Sequence, residues 1–132
     1  MYNSSIDIQG IFMFCQGKEW RLMKFDKNMT SVGTSLLILH LLENRDMYGY
    51  QIISELADQS DNIFEFQEGT LYPVLHAMQK DGYIESYAVK AENGRLRKYY
   101  KITERGKKQL YAKKREWRTF SAAIEQMIGS KA

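Results

Sequence analysis

The fold is decided by residues 68–102, which read EGTLYPVLHAMQKDGYIESYAVKAENGRLRKYYKI. In the first part of this stretch, Leu71, Leu75 and Met78 recur at helical spacing, so that they share one face. Gly82 follows at a point where helices commonly stop, because glycine adopts the left-handed conformation with little strain. The pattern predicts an amphipathic helix over about residues 68–81.

The periodicity of the same stretch changes after Tyr83. Ile84 and Val89 lie in a run that favours a strand, and a second such run follows from Lys98 to Ile102. Between the two runs, Asn93-Gly94 has the residue types of a tight turn. This part of the sequence therefore predicts a β-hairpin with Asn93-Gly94 near its tip.

Two further helices are predicted upstream of this stretch. The run from Leu36 to Leu42 is apolar on nearly every side, which is typical of a buried helix, and Thr30 or Ser31 could cap its start. A second helix is expected from about Tyr48 to Gln59, because apolar residues recur there at intervals of three or four.

One long helix is predicted after the hairpin, with Thr103 as its cap. Its apolar positions follow a heptad-like spacing, which Lys113 interrupts near the start. An apolar strip on a surface helix needs a partner, so we expect this helix to pack in a homodimer without forming a long coiled coil. The predicted dimer interface comprises Leu110, Trp117, Phe120, Ile124 and Met127.

Three helices, a two-stranded hairpin and a long final helix, in this order, predict a winged helix-turn-helix. The fold class is mainly α-helical with a small β-hairpin. We expect residues 29–103 to form a winged-helix DNA-binding domain and residues 104–132 to form the C-terminal dimerisation helix.

Residues 1–28 form an N-terminal extension with two open interpretations. Gly17-Lys18-Glu19 can be encoded by a purine-rich stretch that resembles a bacterial ribosome-binding site, so we hypothesise that natural translation starts at Met23, downstream of residues 1–22. The competing interpretation is a true arm whose apolar residues pack on the domain or on a partner subunit.

The composition excludes several classes of protein. With 132 residues, 44% of them hydrophobic and 27% charged, the chain fits one globular domain. It has no uninterrupted apolar run of roughly 18–20 residues and no secretory signal, so a cytoplasmic protein without a membrane partner is expected. The single cysteine and two histidines offer no disulfide or zinc cluster. No nucleophile–base pair or phosphate loop is visible, so neither an enzyme nor a cofactor is predicted.

Charge is distributed unevenly along the chain. Residues 43–85 carry nine acids and two bases, whereas residues 90–118 carry twelve bases and three acids. A polyanion would therefore be met mainly by the second segment. A solvated basic face without a partner is the alternative, but here the bases fall on a predicted hairpin and helix.

Five short motifs carry a resemblance to a known family. They are MYGY at 47–50, EGTLYPVL at 68–75, DGYI at 81–84, NGR at 93–95 and RKYYKITERG at 97–106. Together they resemble the PadR family of transcriptional regulators over about residues 35–128. The short C-terminal part is similar to that of members whose final helix builds the dimer. The resemblance implies a homodimeric repressor that is released by a small, frequently aromatic ligand. It departs from the family at Gln67, where a serine often caps the recognition helix, and over about residues 1–28, for which the family offers no counterpart.

The predicted contacts with double-stranded DNA lie on two elements. Bases would be contacted by the outer face of the third helix and phosphates by the hairpin. The candidates on or near the helices are Tyr48, Thr70, Tyr72, Pro73, His76 and Gln79, and those on the hairpin are Arg95, Arg97, Lys98 and Lys101. A dimer would present two such helices, so the operator is expected to be an imperfect palindrome.

Trp117 is the candidate for ligand binding. Near a dimer axis, two such indoles could hold a flat aromatic molecule between them; alternatively, Trp117 simply anchors the interface. A winged helix used only for protein contacts is the alternative function, although such a protein has less need of a cationic hairpin.

Overall fold

The computed structural model describes residues 7–8, 11–12 and 27–129, so the hypothesised start at Met23 lies outside the described residues. The elements in chain order are β1 (Asp7–Ile8), β2 (Ile11–Phe12), α1 (Lys27–Asn44), β3 (Met47–Tyr48), α2 (Gly49–Gln59), α3 (Glu68–Lys80), β4 (Ile84–Lys90), β5 (Leu96–Ile102) and α4 (Glu104–Ile128). β1 and β2 pair with each other as antiparallel strands. Among the described helices, none combines the length and apolar character needed to span a bilayer.

The predicted winged-helix fold is confirmed, and its sheet contains one strand more than the predicted hairpin. β4 and β5 form the hairpin, and β3 adds to the free side of β5, giving an antiparallel sheet in the order β3-β5-β4. In this register Met47 lies opposite Tyr100 and Tyr48 opposite Tyr99. Tyr48, predicted to begin the second helix, is therefore a strand residue, and α2 begins one residue later at Gly49.

The core lies where α1, α2, α3 and the start of α4 meet one face of the sheet. The largest side chains in it are almost completely removed from water and are Ile38, Leu39, Leu42, Ile52, Leu71, Leu75, Ile84 and Leu110. Tyr100 joins this cluster from β5. Burial of each such aliphatic side chain stabilises the fold by about 1.5–3 kcal/mol. The inward face of α3 is thus held by the core, which leaves its other side free.

Two predictions are corrected by this arrangement. Thr30 and Ser31, predicted as alternative caps, lie inside α1, because that helix begins at Lys27. Leu110, predicted to contact a second subunit, is only 1% exposed and belongs to the core of the protomer. The first turns of α4 pack against α1 and β5, so this position has no side-chain surface left for a partner.

The junction between α3, the hairpin and α4 is closed by hydrogen bonds. The hydroxyl of Thr103, the predicted cap, accepts from the backbone N–H of Gly106 at 3.0 Å and donates to the carbonyl oxygen of Gly82 at 2.7 Å. Gly82 has a φ of +85°, which a glycine adopts readily at the end of a helix. These bonds set the direction in which the hairpin leaves α3.

Candidate nucleic-acid interface

A groove of about 650 Å³ separates α3 from the β4–β5 hairpin, and we call it the hairpin groove. It brings together seven of the ten predicted DNA contacts, contributed by β3, α3 and the hairpin: Tyr48, Tyr72, His76, Gln79, Arg95, Arg97 and Lys98. The residues come from separate parts of the chain, and only the packing of α3 beside the sheet places them on one surface.

The outer side of α3 has two flanks. Tyr72, His76 and Gln79 recur every three or four residues and face the hairpin groove. Thr70 and Pro73 are also exposed, but they line a second groove of about 870 Å³ on the other flank, next to α1 and α4. The five predicted base-contacting residues thus surround the free side of α3 and do not form one row.

Tyr72 is partly engaged within the protomer. Its ring lies so close to Gly49 that a methyl group at that position would come within 2.5 Å of the phenol oxygen. Burial, followed by the negative charge of Glu68, raises the pKa of the Tyr72 phenol above its usual value. Tyr72 therefore joins α3 to the start of α2, while part of its side chain remains open to the groove.

Three tyrosines form an aromatic row across the sheet, on the face opposite the core. The ring centroids of Tyr48 and Tyr99 are 5.3 Å apart, and those of Tyr99 and Tyr87 are 5.8 Å apart. At one end the Arg97 guanidinium lies 4.6 Å from the centroid of the Tyr48 ring. At the other end the Tyr87 hydroxyl donates to Asp46 at 2.6 Å.

The aromatic row has consequences for charge and position. The hydrogen bond to Asp46 is the main cause that raises the pKa of the Tyr87 phenol. Stacking on Tyr48 restricts where the Arg97 guanidinium can lie, which reduces the entropy that it would lose on binding an anion. The row thus links a hairpin cation to the segment that precedes α2.

The other hairpin cations are arranged differently. Lys98 points to the core side of β5, where its ammonium lies 5.7 Å from the centroid of the Tyr100 ring. Burial raises the pKa of that phenol, so Tyr100 remains neutral beside the cation. Arg95 lies in the turn before β5, whereas Lys101 is exposed farther along the strand, opposite Glu85 and outside the residues that line the groove.

The second half of α4 carries the predicted apolar strip. Phe120 is 59% exposed and Met127 is 85% exposed, and Ile124 is exposed between them. Trp117 is half-buried, with its ring centroid 6.2 Å from that of Phe120. Apolar side chains of this size on one helix face make an unpartnered surface in the isolated protomer.

Comparison with known proteins identifies the family. Residues 38–112, more than half of the chain, match the PadR-like family of transcriptional regulators. The chain belongs to the PadR-like family. A protein of Lysinibacillus sphaericus is 37% identical over 92 residues, which are 70% of this chain and 81% of the relative. A transcriptional regulator of Mycobacterium tuberculosis is 32% identical over 75 residues, which are 57% of this chain and 66% of the relative.

Solved structures of transcriptional regulators share the fold. A transcriptional regulator from Clostridium thermocellum has a TM-score of 0.71 at 31% identity, with 77% of this chain and 99% of that chain covered. A PadR-like regulator from Bacillus cereus has a TM-score of 0.69 at 30% identity, with 80% and 100% covered. The resemblance predicted from the motifs is confirmed, and it places this PadR-family chain among transcriptional regulators and not among enzymes.

The hairpin groove also contains residues that the sequence did not single out. Tyr50 is 62% exposed, Leu96 is 70% exposed, and Glu68 is the first residue of α3. Their positions in the sequence could have indicated them. Leu96 lies between two arginines of the hairpin, and Glu68 begins the predicted recognition helix. Neither residue was predicted to lie in a DNA interface because of its residue type. A leucine is usually assigned to a hydrophobic core, and the negative charge of a glutamate is repelled by phosphates.

Proposed function

We propose that this PadR-family regulator is a cytoplasmic repressor that binds a double-stranded DNA operator as a homodimer and is released by a small aromatic ligand. The observation that carries the proposal is the hairpin groove, which is lined both by exposed polar side chains of α3 and by three cations of the hairpin. DNA requires both features, since phosphates are met by cations and base edges by a helix in the major groove.

In this proposal, α3 enters the major groove with its N-terminal end first. The exposed residues of α3 are within reach of base edges, while the hairpin follows the phosphates or enters the adjacent minor groove. The proposed base contacts are Thr70, Tyr72, Pro73, His76 and Gln79, and the proposed backbone contacts are Tyr48, Arg95, Arg97, Lys98 and Lys101. α3 has no arginine, so strong bidentate contacts with guanine are not expected from it.

A homodimer follows from the apolar strip on α4. Trp117, Phe120, Ile124 and Met127 would be covered by the same helix of a second protomer, which removes apolar surface from water. Two protomers would present two copies of α3 on one side, so the operator should be an imperfect palindrome with half-sites about one helical turn apart.

Trp117 is the proposed ligand contact. Its half-buried indole lies next to Phe120 in the part of α4 assigned to the dimer, where two copies could enclose a flat aromatic molecule. A ligand that favours one spacing of the two α3 helices would shift the population away from the DNA-binding form. Calorimetric titration with phenolic acids should show saturable binding that Trp117→Ala weakens. Unchanged binding in this variant would leave Trp117 as an interface residue only.

The DNA-binding proposal is tested by measuring affinity for the native promoter region over a range of salt concentrations. Affinity should fall steeply as salt rises, because phosphate contacts release bound counterions. Arg97→Ala should weaken binding to all duplexes alike and reduce the slope of log affinity against log salt by about 0.9. Gln79→Ala should instead alter sequence preference more than affinity.

The matched control for Arg97→Ala is Lys108→Ala, which removes an exposed cation from α4, outside the residues lining the hairpin groove. Equal losses in both variants would show a general charge effect and would contradict the role assigned to the hairpin. Absence of binding at low salt would favour the alternative, a winged helix that makes protein contacts only.

A further inference from the structure

We infer that Glu68 determines part of the operator sequence, by accepting a hydrogen bond from the exocyclic amino group of a cytosine in the major groove. This inference rests on the proposed DNA-binding function and names one base that α3 would select. Glu68 would be an acidic residue on a proposed DNA-binding surface whose other charged contacts are cations.

The position of Glu68 supports this role. It is the first residue of α3, it is exposed, and it lines the hairpin groove together with His76 and Gln79. Its spacing from Tyr72 and His76 is four and eight residues, so the three share the flank of α3 that faces the hairpin. The N-terminal residues of a recognition helix are the ones that most often contact base edges.

The Glu68 carboxylate has no salt-bridge partner among residues 33–129, although Arg95, Arg97 and Lys98 line the same groove. Glu68 lies four residues before Tyr72 on α3, and both residues line the hairpin groove. The carboxylate is therefore an acceptor with free capacity on the proposed DNA-binding face.

The chemistry of the major groove restricts what this acceptor can bind. An ionised carboxylate only accepts hydrogen bonds, and phosphate oxygens and the edges of guanine and thymine also offer acceptors there. The donors in the major groove are the amino groups of cytosine and adenine. On adenine the amino group lies beside the N7 acceptor, which would repel the second carboxylate oxygen. Cytosine has no such neighbour and is the base that Glu68 fits.

A purely structural role predicts a different result. Gln67 provides no side-chain cap for α3, so an acid in the first turn also stabilises the positive end of the helix dipole. In that role, Glu68 would change the stability of α3 and would weaken binding to every duplex by general repulsion. It would not change which base is preferred at any one position.

The experiment is selection of half-sites from a randomised duplex library by the full chain and by Glu68→Gln, which removes the charge but keeps the size. The wild type should prefer cytosine at one symmetric position by about tenfold or more, the range expected for a good base contact. Glu68→Gln should lose that preference while gaining affinity for unrelated duplexes. A duplex with thymine in place of that cytosine should weaken binding of the wild type and leave Glu68→Gln unaffected.

Glu92→Gln is the matched control, because it removes an exposed acid at the hairpin turn. It should raise affinity for all duplexes and leave the selected sequence unchanged. If Glu68→Gln gave the same uniform increase with an unchanged sequence preference, the inferred role of Glu68 would be overturned while DNA binding stood. If the wild type selected no sequence and bound no duplex at low salt, the proposed function itself would fail. Thermal unfolding of each variant confirms that the folded protein is compared.

Discussion

The contact between Gly49 and Tyr72 predicts that Gly49→Ala destabilises the wild type but stabilises a variant without the Tyr72 ring. A Cβ at position 49 would lie 2.5 Å from the Tyr72 hydroxyl oxygen and 2.8 Å from Cε1 of the ring. Both distances are too short for carbon in van der Waals contact. Gly49→Ala therefore requires the Tyr72 ring to leave its place against α2.

Two opposing terms determine the size of the effect. Replacement of a helical glycine by alanine stabilises a protein by about 0.4–1 kcal/mol, because the unfolded chain loses freedom. Overpacking costs about 1–3 kcal/mol. The Tyr72 side chain is 40% exposed and can swing towards solvent, so we take a cost of about 2 kcal/mol, below the upper end of that range. We expect Gly49→Ala to lower the free energy of unfolding by about 1 kcal/mol in the wild type.

In a Tyr72→Ala background the ring is absent, and only the favourable term remains. There, Gly49→Ala should raise the free energy of unfolding by about 0.5–1 kcal/mol, which gives an interaction energy of about 2 kcal/mol for the pair. Urea unfolding of the four proteins at one fixed protomer concentration measures this cycle, since the stability of a dimer depends on concentration. Stabilisation by Gly49→Ala in both backgrounds would refute the close contact and the position of α3 against α2.

Further substitutions test the interface, the α4 cap and the aromatic row. Ile124→Arg should convert the proposed dimer into a monomer and abolish binding to the proposed operator, because a charge would be buried in the α4 interface of that dimer; a dimer that persists in sedimentation would contradict this. Thr103→Ala should lower the free energy of unfolding by about 1–2 kcal/mol through loss of the cap, whereas Thr103→Ser should retain most of it, as denaturant unfolding can show. Asp46→Ala should lower the pKa of the Tyr87 phenol towards its ordinary value, because the hydrogen bond to Asp46 raises it. Since that bond favours the protonated phenol, its contribution to stability is present below the unfolded pKa of about 10 and is lost as pH rises through the raised pKa. Spectroscopic titration against Tyr87→Phe would detect this, and an unchanged pKa in Asp46→Ala would contradict the bond.

Much of the secondary structure could be predicted because local signals and tertiary packing agree. Leu71, Leu75 and Met78 share the inward face of α3 both in the sequence pattern and in the structure. The turn at Asn93-Gly94 is formed as expected, with Gly94 at a φ of +87°. The predicted α4 cap is confirmed as well, because the Thr103 side chain accepts a hydrogen bond from the Gly106 N–H in the first turn of α4.

The failures occur where a distant part of the chain decides the outcome. Nothing in the local sequence around Met47 indicates a strand; the backbone of β5 creates it by offering a free edge for pairing. The heptad-like spacing is equally consistent with Leu110 in a dimer interface and with Leu110 in the core of the protomer. The packing of α4 on α1 and β5 settled the choice.

The sequence alone therefore determined the order and type of the main elements, the family and the cationic character of the hairpin, because these depend on residue type and spacing along the chain. The tertiary structure decided which side chains share a surface. It placed Glu68 of α3 and Arg95 of the hairpin along one groove, separated Thr70 from Gln79 on opposite flanks of α3, and stacked Arg97 on Tyr48. Such neighbours are set by the packing of elements against a common core, which spacing along the chain does not encode.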